Sequence, residues 1–277
     1  MKKAFSILVF LLLITLSLCA QTKHALVIGL GEQEDKHWAK INGDKDVPYV
    51  LDMLSIVGYA DIKTLVNNEA KKDNIIEAFK VLEAKCDVGD IVYIHFSGHG
   101  QLISDVNGDE EDGWDESWIP YDAYLKYCDK DKGEKHLVDD EINAFLTRIR
   151  AKIGDSGAIL VVVDACHSGD STRGYYINET VRGIYDEFVI PGKYEIKTAE
   201  SKEQWLVLSA CKDYQLNQEL NDPKVGKLTY VLYQLVNDGG VTMKGIERRM
   251  SKYRSELPQT PMLTGVVDKY QINKILR

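Results

Sequence analysis

Proline is scarce in this chain, with 6 in 277 residues, and no Pro/Gly/Ser-rich stretch, repeat or low-complexity tract divides it. That absence argues against a linker and for one continuous domain. Cysteine is also sparse. Of the five, Cys19 lies in the apolar N-terminal run, and Cys86, Cys128, Cys166 and Cys211 remain beyond it. None forms a CxxC pair and no histidine sits at zinc-finger spacing, which disfavours a disulfide framework and a structural zinc site. Basic residues are outnumbered, 34 against 43 acidic, for a formal charge of −9. A chain so acidic is a poor partner for nucleic acid and a better one for basic substrates or divalent cations.

There is one long apolar run. Lys2-Lys3 precedes residues 4–18, and Ala20 stands before Gln21. A positive start, a short apolar core and a small residue at the end predict a secretory signal peptide over residues 1–20, too short for a comfortable membrane span. Cys19 offers a lipoprotein alternative, against which bulky Leu18 counts. The expected mature protein is 21–277, a single domain outside the cytoplasm, either periplasmic or secreted, with no membrane span.

Strand-like and helix-like segments alternate along those residues. Strands are predicted at 25–29, 62–66, 91–96, 158–164, 205–210 and 261–264, and helices at 46–57, 72–85, 139–150, 228–236 and 243–253. Strands alternating with helices predict a mostly parallel sheet covered on both faces. Two insertions, 102–138 and 170–204, carry no clear pattern, and long unpatterned loops in compact domains are often functional.

Two of the strands end in reactive residues. Ile91-Val92-Tyr93-Ile94-His95-Phe96 runs into Ser97-Gly98-His99-Gly100, and Ala158-Ile159-Leu160-Val161-Val162-Val163 runs into Asp164-Ala165-Cys166-His167-Ser168-Gly169. Continuous β-branched runs read as strands buried on both faces, and reacting groups in such sheets collect at the strands' carboxyl ends. His99 and Cys166 are thus a candidate base–nucleophile pair: the imidazole takes the proton and the thiolate attacks. His95, inside its strand, reads as structural, and His167 is too near Cys166 along the chain to serve it. Asp164 lies two residues before Cys166, on the same strand face. A lone acid there is costly unless it meets a positive charge, so it reads as the floor of a pocket for Arg or Lys.

The His-Phe-Ser-Gly-His-Gly and Asp-Ala-Cys-His-Ser-Gly blocks resemble the two signature segments of the metacaspases and related bacterial caspase-like cysteine peptidases, and the resemblance runs from about His24 to the C-terminus. It implies a caspase-like three-layer α/β/α sandwich, His99 and Cys166 as a catalytic dyad, and cleavage of protein or peptide substrates after Arg or Lys. An oxyanion hole is expected from the backbone amides of Gly100 and Cys166. In the family a second pocket acid opens the first helix. Gly43-Asp44-Lys45-Asp46 stands there, making Asp46 the candidate, with a helix N-cap as its alternative role. Ser97 is carried over to the pocket wall. Ser209-Ala210-Cys211-Lys212-Asp213-Tyr214-Gln215 resembles the block lining the far side of the cleft.

Residues 105–116 place Asp105, Asn107, Asp109 and Glu116 at positions 1, 3, 5 and 12 of a calcium loop, but Glu110 occupies the position that needs glycine. The family's activating calcium site uses four aspartates, of which Asp122, Asp139 and Asp140 find matches. Arg173 stands near the fourth place, with Asp170 the nearest acid. Asp139 and Asp140 are equally suited to a helix N-terminus. No cofactor is needed for acyl transfer itself. The basic residues after the nucleophile, Arg173, Arg182, Lys193, Lys197 and Lys202, suggest a loop cut by its own site. The alternatives are a peptidase of the same fold with another specificity, or a catalytically silent calcium-binding or interaction module.

Overall fold

The computed structural model describes residues 21–166, 181–184, 186–192, 204–212, 214–253 and 257–277. The expected signal peptide, His167, Asp170, Arg173, Lys193, Lys197, Lys202 and Asp213 lie outside them. In chain order the elements are β1 (Lys23–Gly29), α1 (Gly43–Ile56), β2 (Asp61–Val66), α2 (Lys72–Lys85), β3 (Ile91–Ser97), β4 (Gly100–Ser104), β5 (Trp114–Trp118), β6 (Leu137–Val138), α3 (Asp139–Ile153), β7 (Ala158–Asp164), β8 (Leu206–Ser209), β9 (Glu219–Asn221), β10 (Lys224–Gly226), α4 (Lys227–Asn237), α5 (Met243–Met250), β11 (Met262–Gly265) and α6 (Ile272–Ile275).

The main sheet has the order β11-β8-β7-β3-β1-β2. All its pairings are parallel except β11 with β8. Its central strands are buried on both faces, which is why they read as unbroken apolar runs. Alternate residues go to opposite layers. Ala25, Val27, Tyr93, Leu160 and Val162 meet α1, α4, α5 and α6, whereas Leu26, Ile28, Val92, Ile94 and Val161 meet α2 and α3. Because the side-chain period of a strand is two, each strand feeds both cores. The fold is the α/β/α sandwich with a mostly parallel sheet that the alternation predicts.

The 102–138 insertion is not featureless. Together with Gly100 and Gln101 it builds a second, antiparallel sheet of order β4-β5-β6. Its strands are two to five residues long and carry Gln, Ser, Asp and Glu, so no apolar alternation announces them. The hairpin β9-β10 was missed for the same reason. Helix α1 starts three residues before the expected 46, which places Asp46 inside its first turn and rules out the N-cap role, taken instead by Asn42.

Candidate active site

β3 and β7 are neighbours, paired in parallel with Ser97 opposite Asp164. His99 follows Ser97 by two residues and Cys166 follows Asp164 by two, so both leave the same sheet edge from adjacent strands. Adjacent strands lie about 4.8 Å apart, and the register therefore brings His99 and Cys166 to neighbouring strand ends.

His99 is buried. Its Nε2 meets the Ala39 carbonyl at 2.8 Å. A carbonyl only accepts, so Nε2 carries the proton and Nδ1 is left as the base. Nδ1 is buried with no hydrogen-bond partner among the described residues. Trp38 stacks on the ring at 5.0 Å between centroids. Burial pushes the imidazole down to about 4, with the Ala39 carbonyl acting in the opposite sense and the Arg182 charge adding to the depression. The group that orients the base, which sequence reasoning left unnamed, is a main-chain carbonyl that no motif can reveal. The Cys166 thiol, also buried, donates to the Gln215 carbonyl at 3.0 Å, and the Cys211 thiol donates to the same oxygen at 3.3 Å.

The Ile119 N–H donates to the His99 carbonyl at 3.1 Å. With Gly100 opposite Trp118, His99–Ile119 is a hydrogen-bonded pair of the ladder and Gly100–Trp118 a non-bonded one. The Gly100 N–H therefore points away from β5. That orientation suits the oxyanion role expected of it.

Near His99 and Cys166 lies a wholly buried acid pocket. Asp46, Asp164 and Ser97 are fully enclosed, and an unexpected third acid joins them, Glu219 from β9. All three carboxylates face Arg182. Its Nη1 and Nη2 donate to the two oxygens of Asp46 at 2.6 and 3.0 Å. Nη1 also reaches the Asp164 carbonyl at 3.1 Å and its carboxylate at 3.3 Å, while Nε donates to Glu219 at 2.9 Å. Ser97 Oγ donates to Asp46 at 2.7 Å and is backed by His95 and Tyr93 in a buried chain. Asn217 and Thr229 donate to Asp164. Burial pushes both aspartates up. At Asp164 the Arg182 charge, Thr229 and Asn217 outweigh it and hold the carboxyl below its usual range, while at Asp46 burial prevails over the same charge.

The backbone around Arg182 lies in the cleft like a bound peptide. The Arg182 N–H donates to Asn217 O at 2.9 Å, and Val181 pairs antiparallel with Gln218. Gly183 follows directly against Cys166. A Cβ there would stand 2.7 Å from the Cys166 carbonyl oxygen and 2.8 Å from its Cβ, and φ is +148°. Only glycine fits that approach. Gly226 plays a matching part, since a Cβ on it would stand 2.6 Å from Arg182 Nη1. Residues 186–190 then run along β4, with Phe188 bonded to Leu102 and Ser104.

The second acidic region is the β4–β5 turn. Oxygens of Asp105, Asp109 and Asp115 lie within 4.8 Å of one another. Asp105 accepts from the Gly108 and Glu110 amides at 2.6 and 3.0 Å, as the first residue of a calcium loop does. Asp109, Asp115 and Asp139 each keep one buried oxygen without a hydrogen-bond partner among the described residues. Burial, then neighbouring acids, pushes Asp115 up to about 7 and Asp139 up to about 8. Asp140 is raised too and holds the Asn107 side-chain amide at 2.5 Å. The Asp122 carboxylate accepts the Lys72 N–H at the start of α2, at 2.9 Å, and Asp115 lies close enough to Asp139 and Asp140 for their charges to interact.

Among known proteins, the profile of the metacaspase, peptidase C14 domain matches residues 23–173. Metacaspase-2 of Arabidopsis thaliana is 34% identical over 230 residues, 78% of this chain and 52% of that protein. Metacaspase-1A of Neurospora crassa is 31% identical over 180 residues, 61% and 36%. The chain spans about a third to a half of the length of these curated relatives. A crystal structure of a Geobacter sulfurreducens protein superposes with a TM-score of 0.65 at 25% identity, covering 88% of this chain and 92% of that one. Caspase-1 of Spodoptera frugiperda superposes at 0.58 and 11% identity, covering 89% of each, which speaks for the fold alone.

Proposed function

Because the chain belongs to the metacaspase family of caspase-fold, cysteine-type peptidases, we propose that it is an endopeptidase that cuts protein substrates after a basic residue. One observation carries this reading: an arginine of the chain itself fills the pocket beneath Cys166, meeting three carboxylates. Arg182 and Gly183 stand for the residues on either side of a scissile bond.

The chemistry follows from the neighbours. The Cys166 thiol leaves the Gln215 carbonyl and passes its proton to His99 Nδ1. The thiolate attacks the carbonyl carbon of the basic residue, and the oxyanion is met by the N–H groups of Gly100 and Cys166. The imidazolium returns its proton to the leaving amine, and water then hydrolyses the thioester. On this reading, Arg182–Gly183 is the bond of self-cleavage in the loop after Cys166.

A divalent cation fits the β4–β5 turn, because hard oxygen donors with buried, unpartnered atoms are what calcium takes. Asp105, Asp109 and Asp115 would hold it, with Asp139 and Asp140 beside them. It would fix the hairpin that flanks His99 on its C-terminal side. Lys2-Lys3 and the apolar run after them support export with removal of residues 1–20, which the intact mass of protein recovered from the cell envelope tests.

The deciding experiment is turnover of matched fluorogenic peptides ending in Arg, Lys, Asp or Asn, beside Cys166→Ala. Turnover of the basic peptides alone, lost by a factor of at least about 10³ in the variant, and a new N-terminus at Gly183 in the active protein are the expected results. Turnover of the Asp or Asn peptides, or fragments that persist in Cys166→Ala, overturns the reading.

A further inference from the structure

The pocket holds more acceptors than a basic residue of unspecified kind requires, and they are arranged for one shape. We propose that Glu219 makes this enzyme select arginine over lysine. The inference rests on the peptidase reading above, with Arg182 standing for the substrate's basic residue.

Glu219 Oε1 takes the Arg182 Nε–H at 2.9 Å, part-way along the side chain rather than at its tip. Asp46 takes one N–H from each terminal nitrogen, and the Asp164 carbonyl takes another from Nη1. The acceptors thus match the planar fork of a guanidinium. In an extended lysine the atom corresponding to Nε is the Cε methylene, which donates nothing. Its single ammonium, placed where the guanidinium carbon sits, cannot serve Asp46 bidentately and reach Glu219 as well.

Glu219 cannot swing to follow a lysine. Its Oε1 also accepts the Asn42 backbone N–H at 2.7 Å, and its Oε2 accepts the Asn42 side-chain amide. Its side chain is 1% exposed. With lysine bound, an enclosed carboxylate would lose its charged partner, and a buried acceptor left short of a donor carries its desolvation cost unrelieved. Glu219 lies 53 residues beyond Cys166 on a three-residue strand with no motif around it, so only the fold brings it to the pocket.

Two measurements test this. The first is kcat/KM for matched peptides ending in Arg or Lys, on the wild-type chain and on Glu219→Gln. The wild type is expected to prefer Arg by about 10- to 100-fold, the range of one charge-assisted hydrogen bond. In Glu219→Gln the Arg value should fall while the Lys value stays within about threefold, so the ratio collapses. Equal turnover of both peptides by the wild type, or an equal fall of both in the variant, overturns the inference and leaves the peptidase reading standing. Turnover of neither peptide by the wild type overturns the peptidase reading.

The second measurement needs no activity. In the Cys166→Ala chain, Arg182→Lys and Glu219→Gln are combined in a thermal-unfolding cycle. Arg182→Lys is expected to lower the Tm clearly when Glu219 is present and little when Gln replaces it. Additive effects overturn the inference.

Discussion

The pocket beneath Cys166 and the β4–β5 turn are both clusters of buried carboxylates, and they resolve the same physical problem differently. In the pocket, Asp46, Asp164 and Glu219 surround the guanidinium of Arg182. In the turn, Asp105, Asp109 and Asp115 gather without a basic side chain among the described residues beside them, and burial drives Asp115 and Asp139 toward the protonated form. Removing a carboxylate from water is tolerable when a cation or a proton comes with it. The first region has found its cation within the chain, in Arg182. The second, on the reading proposed above, would take one from solution.

The sharpest way to break this contrast is to empty the pocket. Arg182→Gln in the Cys166→Ala chain leaves three enclosed carboxylates without their cation and should destabilise the fold by about 3 kcal/mol or more, read from urea unfolding. No loss of stability would mean that the pocket fills with water or protons as readily as with arginine. A smaller effect is expected from filling the turn. Calcium at 100 times its dissociation constant should add about 2.7 kcal/mol, seen as a rise in Tm that EDTA reverses. Asp115→Asn should abolish that rise, whereas Asp122→Asn should keep it.

The smallest effect is on pH dependence, and its sign can be worked out. Asp115 and Asp139 hold their protons up to about 7 and about 8 when folded, against an unfolded value near 4. Their contribution is complete below that unfolded value and is lost as pH rises through the folded ones. Buried His95, His99 and His136 act in the opposite sense below about 6.5, because the folded imidazoles refuse a proton that the unfolded chain takes up. Above 6.5 those histidines no longer oppose the acids. Cation-free protein should therefore lose Tm between pH 6.5 and 8.5, and calcium should flatten the slope. A flat profile without calcium would show that these carboxyls are ionised throughout.

The main sheet was legible because its strands are unbroken β-branched runs and its helices carry apolar stripes, so 72–85 and 158–164 coincide with α2 and β7. The β4-β5-β6 sheet was not, because strands of two to five residues filled with Gln, Ser and Asp leave no periodic signal. Asp164 could be placed near the nucleophile from strand periodicity alone, since two residues on one strand share a face whatever surrounds them. Asp122 came to the cation site only as what the family resemblance implies, and in the fold its carboxylate accepts the Lys72 N–H at the start of α2.

By itself, then, the chain's order of residues determined what is local or periodic: the alternating elements, the two apolar strands, and His99 and Cys166 at their ends. The tertiary structure alone decided what depends on segments far apart in sequence. It brought the Ala39 carbonyl to His99, Glu219 to the pocket and Asp105 to Asp115. Above all it chose Arg182, from among several basic residues in one loop, to lie against three acids with Gly183 on the nucleophile. Composition can count opposite charges, but which of them meet out of water is set by the packing that excludes the water.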